Sequence, residues 1–266
     1  MFYYLGRKQR LAHLYPAPVY DHIIEPFAGS AAYALHADHW QRDVTLVELD
    51  PNTLAVWRYL QQATPADILT LPDVEAGQKL SDYTQLTEAE VWLMRYAVNP
   101  GSSQRTNTVT RFSRWHVQKP LVAASLHKIR HWTLVEGDYR MAPEVEATWF
   151  IDPPYHRSGK FYMTNDVVYD EVAEFSLTRR GQAIVCEQEG AAWLPFEPLR
   201  AERSARGTRG SEVVWTSEMV RRNAPGEQVR ERLSRPDVVR AANASTTPAG
   251  STSAPGGCGA DTSHRS

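Results

Sequence analysis

The chain is predicted to fold as an α/β protein around a doubly wound, mostly parallel sheet. Its 266 residues are 42% hydrophobic and 10% aromatic, which is enough for one sizeable core. Short apolar runs of strand length alternate along the sequence with segments that have helical periodicity. Strands that alternate with helices form parallel sheets, and the ligands of such sheets bind at the carboxyl ends of the strands.

Six strands and six helices are predicted in this pattern. The strands are short and mostly apolar, at residues 22–25, 44–49, 132–136, 148–151, 182–186 and 212–215. The helices are assigned from periodicity and from their start and stop signals, at residues 7–14, 31–39, 52–62, 88–97, 121–129 and 169–177.

Residues 62–130 interrupt the alternation and are predicted to form an inserted, mainly helical subdomain. Residues 1–61 and 131–220 then form the α/β domain. From residue 221 to 266, charged residues give way to small and polar ones. That segment is predicted to be a disordered tail whose removal leaves folding nearly unchanged.

Composition excludes several classes of protein. Cys186 and Cys258 are too few and too far apart for a disulfide framework or a zinc motif, and the nine histidines show no metal-ligand spacing. The first twenty residues do not resemble a signal peptide, and no apolar stretch is long enough to span a bilayer. We therefore expect a soluble cytoplasmic protein that binds no metal and no membrane.

The stretch at residues 148–155, TWFIDPPY, carries the strongest functional signal. A buried-strand pattern ends at Asp152, and Pro153, Pro154 and Tyr155 follow. The prolines fix φ and lack an N–H group, which predicts a stiff, extended loop with free carbonyls. A carboxylate, carbonyls and a flat ring at the end of a strand suit a planar heterocycle with an amino group. The alternative is that the prolines only end the strand and that Tyr155 packs nearby.

The first strand–helix junction predicts a second binding element. Small residues around Gly29 let a ligand approach the backbone where a helix is expected to begin, and Ser30 is a candidate cap for that helix. Glu48 ends the second strand at about the 20-residue spacing at which an acid in Rossmann-type sheets meets ribose hydroxyls. Together these features indicate a cofactor that contains a nucleoside. The alternative is a tight turn with Asp50 as a helix cap.

Residues 91–135 contain no Asp or Glu, although the net charge of the whole chain is only −2. A chain of that net charge does not coat nucleic acid non-specifically, but this segment predicts one positive face. The alternative is that Trp92 and Trp115 belong to the core and the cations are solvated. The basic residues of the segment are Arg95, Arg105, Arg111, Arg114, Lys119, Lys128 and Arg130, with His116, His127 and His131.

Six segments, taken in their order along roughly the first two thirds of the chain, resemble the motifs of the D12-class, Dam-like adenine-N6 DNA methyltransferases. The resemblance implies a Rossmann-like sheet that uses S-adenosylmethionine, with the insert as a target-recognition subdomain. The motifs are YLGRK at 4–8, EPFAGS at 25–30, ELDP at 48–51, the basic segment, EGDY at 136–139 and DPPY at 152–155.

The resemblance assigns three sets of residues. It places Asp152, Pro153, Pro154 and Tyr155 around the target adenine. Around S-adenosylmethionine it implies Tyr4, Lys8, Phe27, Gly29, Glu48, Asp138, Tyr139 and Asp152. The family's DNA-binding region corresponds to residues 99–119, whose candidate DNA contacts are Arg105, Asn107, Arg111, Arg114 and Lys119.

Departures from the family pattern lie near the expected cofactor. Arg7 stands where a second glycine is usual, Ser30 and Ala31 stand where a glycine often follows Gly29, and Glu48 replaces the usual Asp. Each adds bulk, which puts cofactor affinity in doubt. A further cluster, Arg200, Arg203, Arg206 and Arg209, is interpreted as a mobile loop that closes over DNA.

The chemistry that the resemblance implies explains the motif. The amino group of adenine is a poor nucleophile because its lone pair is delocalised into the ring. If the Asp152 carboxylate and the Pro153 carbonyl accept its two hydrogens, they favour a pyramidal nitrogen with an available lone pair, and no metal is required. Tyr155 would stack on the base after it has left the duplex.

The sequence is therefore predicted to encode an S-adenosylmethionine-dependent DNA adenine-N6 methyltransferase, as in restriction-modification systems, phages and mobile elements. Its expected partner is double-stranded DNA in a bacterial or phage-infected host cell, and its expected state is a monomer or weak dimer. The alternatives are methylation of adenine in RNA or of cytosine N4, a weak or inactive DNA-binding homologue suggested by Arg7, Ser30 and Glu48, and a nucleotide-dependent oxidoreductase.

Overall fold

The computed structural model describes residues 1–2, 8–100, 106–156, 167–199 and 212–218. All of them lie in one compact unit, Met1–Asn223. The predictions for Tyr4, Arg105, the arginine cluster at 200–209 and the tail at 221–266 fall outside the described residues.

The described strands form one mixed sheet. In chain order they are β1 His22–Glu25, β2 Asp43–Glu48, β3 Thr133–Glu136, β4 Ala147–Ile151, β5 Gly181–Gln188, β6 Glu197–Pro198 and β7 Glu212–Thr216. Their order across the sheet is β3-β2-β1-β4-β5-β7-β6, with β1 to β5 parallel and β7 antiparallel to both of its neighbours. This is the doubly wound arrangement, so the predicted Rossmann-like, mostly parallel α/β fold class is confirmed.

The order of the strands reverses between β1 and β4, and this reversal locates the expected binding crevice. In doubly wound sheets, ligands bind outside the carboxyl ends of the strands at such a reversal. β1 ends at Glu25 and β4 at Ile151, so the glycine junction and the Asp152 loop leave adjacent strands at this reversal. The reversal therefore lies where both motifs were expected to act.

Both faces of the sheet are buried, which explains why the central strands are apolar throughout. All five residues of β4 are buried, and its neighbouring side chains point to opposite faces. Phe150 stacks on Tyr33 on one face, with ring centroids 4.3 Å apart, while Trp149 packs edge-on against Phe175 on the other. A strand whose sequence does not alternate between apolar and polar residues is therefore predicted to lie at the centre of the sheet.

The long helices of the described residues are α1 Pro51–Gln62, α2 Pro65–Thr70, α3 Glu88–Val98, α4 Trp115–Ser125 and α5 Tyr169–Thr178. α1, α3 and α5 agree with prediction to within a residue at each end. α2 was not predicted, although Thr64 and Asp67 form a capping box around Pro65, a start signal present in the sequence. In the described ranges, no helix has the length and apolar character needed to cross a membrane.

The helix predicted at 31–39 is wrong. Ala31 and Ala37 each have a φ of +48°, and a left-handed residue interrupts a right-handed helix. The segment instead forms successive turns, fixed by the Ala34 N–H donating to the buried Glu25 carboxylate at 2.7 Å. Ser30 is buried and does not cap a helix.

Two other helix predictions need correction. In the segment predicted as 7–14, the described part forms only turns and the 3-10 helix Ala12–Leu14, because Tyr15, which precedes Pro16, is extended. The helix predicted at 121–129 begins six residues earlier, at Trp115, with Pro120 inside it. Burial of Trp115, whose indole donates to the Pro72 carbonyl at 2.9 Å, outweighs the disfavoured proline.

The insert at 62–130 is helical, as predicted, and is built from α2, α3 and α4. α4 packs on α2 and α3 packs on α1. Trp57 of α1 and Leu93 of α3 belong to the same core cluster. The division into a catalytic domain and a separate target-recognition subdomain remains a prediction.

Candidate active site

The carboxyl ends of β1 to β4 carry most of the predicted site residues. Because β3, β2, β1 and β4 are adjacent and parallel, their carboxyl ends lie along one edge of the sheet. The structure thus brings together most of the described residues predicted to hold the cofactor and the base, and Lys8 joins them through its ion pair with Asp152. Those that follow the strand ends are Phe27, Gly29, Glu48, Asp138, Tyr139, Asp152, Pro153, Pro154 and Tyr155.

Glu48 ties the glycine junction to the end of β2. Its carboxylate accepts the Gly29 N–H at 3.0 Å and the Asp50 N–H at 2.9 Å, and burial raises the pKa of Glu48 to about 7. Gly29 adopts a φ of +46°, and its carbonyl accepts the Trp57 indole N–H at 3.0 Å. Asp50 caps α1 through the Asn52 N–H, as the alternative interpretation of that residue predicted.

An aromatic pair lies beside this junction. The Phe27 and Tyr139 rings are stacked with centroids 5.1 Å apart, and Tyr139 packs edge-on against Phe175 at 5.0 Å. The Asp138 carboxylate caps the short turn that begins at Tyr139 and forms an ion pair with Arg140 at 2.7 Å. A buried acid and a stacked ring pair at neighbouring strand ends suit the ribose and the base of a nucleoside.

Lys8 and Asp152 form an ion pair at the centre of the site. The Lys8 Nζ lies 2.6 and 2.8 Å from the two carboxylate oxygens of Asp152, and the Lys8 side chain is only 5% exposed. Burial raises the pKa of Asp152 to about 6, against the opposing effect of Lys8. Although burial alone would lower the pKa of Lys8, Asp152 and Glu212 raise it above its ordinary value. The two-point contact with the Lys8 ammonium favours the ionised, hydrogen-bond-accepting form of Asp152 against the effect of burial.

Glu212 is a central residue that the sequence analysis missed. Its Oε1 accepts the hydroxyls of Tyr155 and Tyr15, the latter at 2.8 Å, and lies 3.7 Å from the Lys8 Nζ. The Lys8 ammonium also lies over the Tyr155 ring, 4.4 Å from its centroid. Asp152 and Glu212 therefore share one buried cation, and one face of the Tyr155 ring is in contact with it.

The loop after Asp152 is held at two further points. The Pro154 carbonyl accepts the Tyr169 hydroxyl at 2.7 Å, so it is not the wholly free carbonyl that the sequence suggested. No described residue donates to the Pro153 carbonyl, the acceptor expected to hold the amino group. Buried Glu187 accepts the His156 N–H at 3.2 Å and the Trp193 indole N–H at 3.0 Å.

Glu187 was also missed, although a signal for it is present. Like Glu48 and Asp152, it is an acid at the end of an apolar strand, and such ends gather at the ligand edge of a parallel sheet. Glu212 gave no such signal, because it begins a strand. Only the antiparallel direction of β7, with Glu212 opposite Gln188 of β5, brings that first residue to the ligand edge.

The proposed nucleic-acid contacts divide into two groups in the structure. Arg111 and Arg114 are exposed, and the Arg111 guanidinium lies 4.7 Å from the centroid of the exposed Phe112 ring. The Asn107 side chain accepts two hydrogen bonds from Arg95, at 2.9 and 2.6 Å. Trp92 and Trp115 lie in the core, as the alternative interpretation of this segment expected.

Lys119 is the most constrained of these candidates. Lys119 is only 9% exposed. Its ammonium donates to the Asp73 carboxylate and, at 3.0 Å, to the Leu71 carbonyl. These contacts hold α4 to the segment after α2, and a phosphate would have to replace them.

Cys186 is buried, and burial raises the pKa of its thiol well above the ordinary value. Burial and the raised pKa both disfavour the thiolate, which is the reactive form of a cysteine. Over the described ranges, no group of three or more His, Cys, Asp or Glu side chains is arranged to bind a metal ion.

No protein-family model matches the chain, and no curated protein sequence matches it. One solved structure that matches is the rRNA methyltransferase aviRa from Streptomyces viridochromogenes, at 17% sequence identity. The match covers 82% of this chain and 84% of that one, with a TM-score of 0.34. At this identity and TM-score, the fold class rests on the strand order, and the function has to be argued from the site.

Proposed function

We propose that the chain is an S-adenosylmethionine-dependent methyltransferase that modifies N6 of adenine in DNA, of the D12 class that its motifs resemble. The observation that carries the proposal is the position of the Asp152 loop. It leaves the central strand β4 at the reversal of strand order, beside the junction where Glu48 holds Gly29.

The residues present fit the proposed cofactor. Glu48 is a buried acid at the end of β2, where ribose hydroxyls bind in Rossmann-like sheets, and the Phe27–Tyr139 ring pair offers a flat apolar surface beside it. When bound, S-adenosylmethionine supplies an electrophilic methyl group on a sulfonium ion. Among the described residues, the two carboxylates Asp152 and Glu212 lie around the Lys8 ammonium, and this pair of acids is favourable for a cationic ligand.

The DPPY loop supplies what an amino group on a planar base requires. Ionised Asp152 and the Pro153 carbonyl accept its two hydrogens, which directs the nitrogen lone pair away from the ring plane. Tyr155 is oriented through its hydroxyl by Glu212, so its ring can hold the flipped base by stacking, worth roughly 1 to 3 kcal/mol. Rate enhancement would come mainly from this positioning.

DNA is proposed as the substrate from the resemblance and from the basic segment of the insert. Arg111 and Arg114 are exposed cations in a stretch without acids, as phosphate contacts require. DNA and RNA share phosphates and adenine, so both are compared in the test below.

The test is methyl transfer from isotope-labelled S-adenosylmethionine to duplex DNA and to RNA, with modified bases identified by mass spectrometry. We expect N6-methyladenine in DNA with the unmodified protein and a loss of about a hundredfold or more with Asp152→Asn, which removes the carboxylate at constant size. Asp170→Asn, at an exposed acid in the first turn of α5, is the matched control.

Three outcomes would contradict the proposal. Equal activity of the Asp152→Asn protein removes Asp152 from the mechanism. Modification of RNA alone changes the substrate. Calorimetry without detectable binding of S-adenosylmethionine leaves only the DNA-binding homologue, provided that the protein still binds duplex DNA.

A further inference from the structure

Three charged groups share the centre of the site, and their distances are unequal. The Lys8 ammonium is within hydrogen-bond distance of both Asp152 oxygens but lies 3.7 Å from the Glu212 Oε1. That is about 1 Å beyond a charge-assisted hydrogen bond. In this state Lys8 is bound to the carboxylate that an adenine amino group needs, and a second carboxylate lies just beyond it.

We infer that the Lys8 ammonium is a displaceable partner of Asp152, and that Glu212 is the positioning residue that receives it when an adenine amino group takes its place. The inference rests on the proposed function and adds a residue that the resemblance does not assign. Because Lys8 is almost fully buried, its ammonium cannot leave Asp152 for water at low cost. A waiting carboxylate removes most of that cost.

The surroundings of Glu212 suit this role. Its Oε1 is fixed by the hydroxyls of Tyr15 and Tyr155, so the acceptor is already in position before Lys8 moves. The ammonium is already over the Tyr155 ring at 4.4 Å from its centroid, and a shift of about 1 Å toward Glu212 keeps it near that ring. The move exchanges one ion pair for another and transfers no proton.

The first test observes Lys8 directly, by NMR of the side-chain ammonium groups in protein labelled with ¹⁵N-lysine. The chain has five lysines, so the Lys8 signal can be assigned with Lys8→Met. The probe is 2′-deoxyadenosine, added with S-adenosylhomocysteine, and the matched probe is the purine deoxyriboside without the amino group. We expect the Lys8 signal to move with the first probe and not with the second. An unchanged Lys8 signal, or equal changes with both probes, overturns the inference.

The second test is a double-mutant cycle on kcat/KM for methyl transfer. Glu212→Gln keeps an oxygen acceptor for the two tyrosines but removes the charge, so we expect about a tenfold loss. In a Lys8→Met background the same change should alter kcat/KM by less than about twofold, because Glu212 then has no ammonium to receive. Glu197→Gln, at an exposed glutamate of β6 that pairs with β7, is the control and should change neither.

The outcomes separate this inference from the proposed function. Equal, additive losses in both backgrounds would mean that Glu212 only supports the tyrosines. Failure of the unmodified protein to methylate nucleic acid, together with an amino-dependent shift of Lys8, would reject the enzyme and keep the displacement. Methylation of nucleic acid together with an unchanged Lys8 signal would support the enzyme and reject the displacement.

Discussion

Single buried acids at the strand ends hold this site together. Glu25 is 2% exposed, and its carboxylate accepts the Ala34 N–H at 2.7 Å, which fixes the turns that replace the predicted helix. Burial raises the pKa of Glu25 to about 8, from an ordinary value of 4.5. We therefore expect the folded protein to hold a proton on Glu25 at neutral pH that the unfolded chain releases.

This difference predicts a pH-dependent gain in stability from Glu25→Gln. The unfolded chain loses the proton near pH 4.5 and the folded protein only near pH 8, so the unmodified protein loses stability as pH rises between these values. The amide cannot ionise and keeps an acceptor for the Ala34 N–H. We expect the gain to be roughly 3 kcal/mol larger at pH 8 than at pH 5, at about 1.4 kcal/mol for each pKa unit.

Urea unfolding at the two pH values measures this gain. Glu174→Gln, at an exposed glutamate of α5, is the control and should leave the free energy of unfolding unchanged within about 0.5 kcal/mol. A gain from Glu25→Gln that does not depend on pH would show that Glu25 is not held protonated in the folded protein.

At the scale of elements, the start of β5 depends on one glycine. Gly181 has a φ of +105°, and a Cβ added there would lie 2.3 Å from the Ala147 carbonyl oxygen, on the neighbouring strand β4. Gly77 has a similar φ of +92°, but nothing lies within 4 Å of its added Cβ. Substitutions at these two glycines therefore distinguish the cost of backbone strain, which both share, from the cost of a clash within the sheet, which only Gly181 has.

Gly181→Ala should therefore destabilise the protein much more than Gly77→Ala. The Gly77 change costs only the left-handed conformation, about 1 to 2 kcal/mol, whereas the Gly181 change adds a clash with backbone that cannot move freely. We expect a loss of about 3 kcal/mol or more at Gly181, measured by chemical unfolding. Equal losses at both sites would mean that β4 and β5 separate easily at this end.

At the scale of the whole molecule, charges of opposite sign lie in different parts of the fold. Acids gather at the carboxyl edge of the sheet, while the insert carries exposed cations at Arg111 and Arg114. Arg180 is also exposed, but it precedes β5 and therefore lies at the opposite, amino edge. This arrangement offers a matched test of where nucleic acid binds.

Arg111→Glu and Arg114→Glu should weaken binding to duplex DNA, whereas Arg180→Glu should not. Each phosphate contact contributes roughly 0.9 to the slope of log K against log salt concentration, so losing one contact should reduce that slope by about 1. Fluorescence anisotropy over a salt series measures both quantities. Equal weakening by all three changes would indicate non-specific attraction instead of a binding face.

The sequence by itself determined the sheet and its binding edge. The strands could be located because short apolar runs bounded by turn residues are typical of strands buried inside a sheet, and six were found within a few residues of their positions. Asp152, Glu48 and Gly29 could be named because residues that follow parallel strands meet at one edge. Local start signals similarly placed α1 and α3.

The tertiary structure alone decided the partners at that edge. Whether a run of small residues forms a helix depends on contacts such as that of Glu25 with Ala34, and periodicity does not record them. Glu212 reaches Lys8 and Tyr155 only because β7 runs antiparallel to β5, and strand direction leaves no mark in composition. The sequence named Asp152 and Lys8 separately, and the fold paired them and placed the second acid, Glu212, beside them.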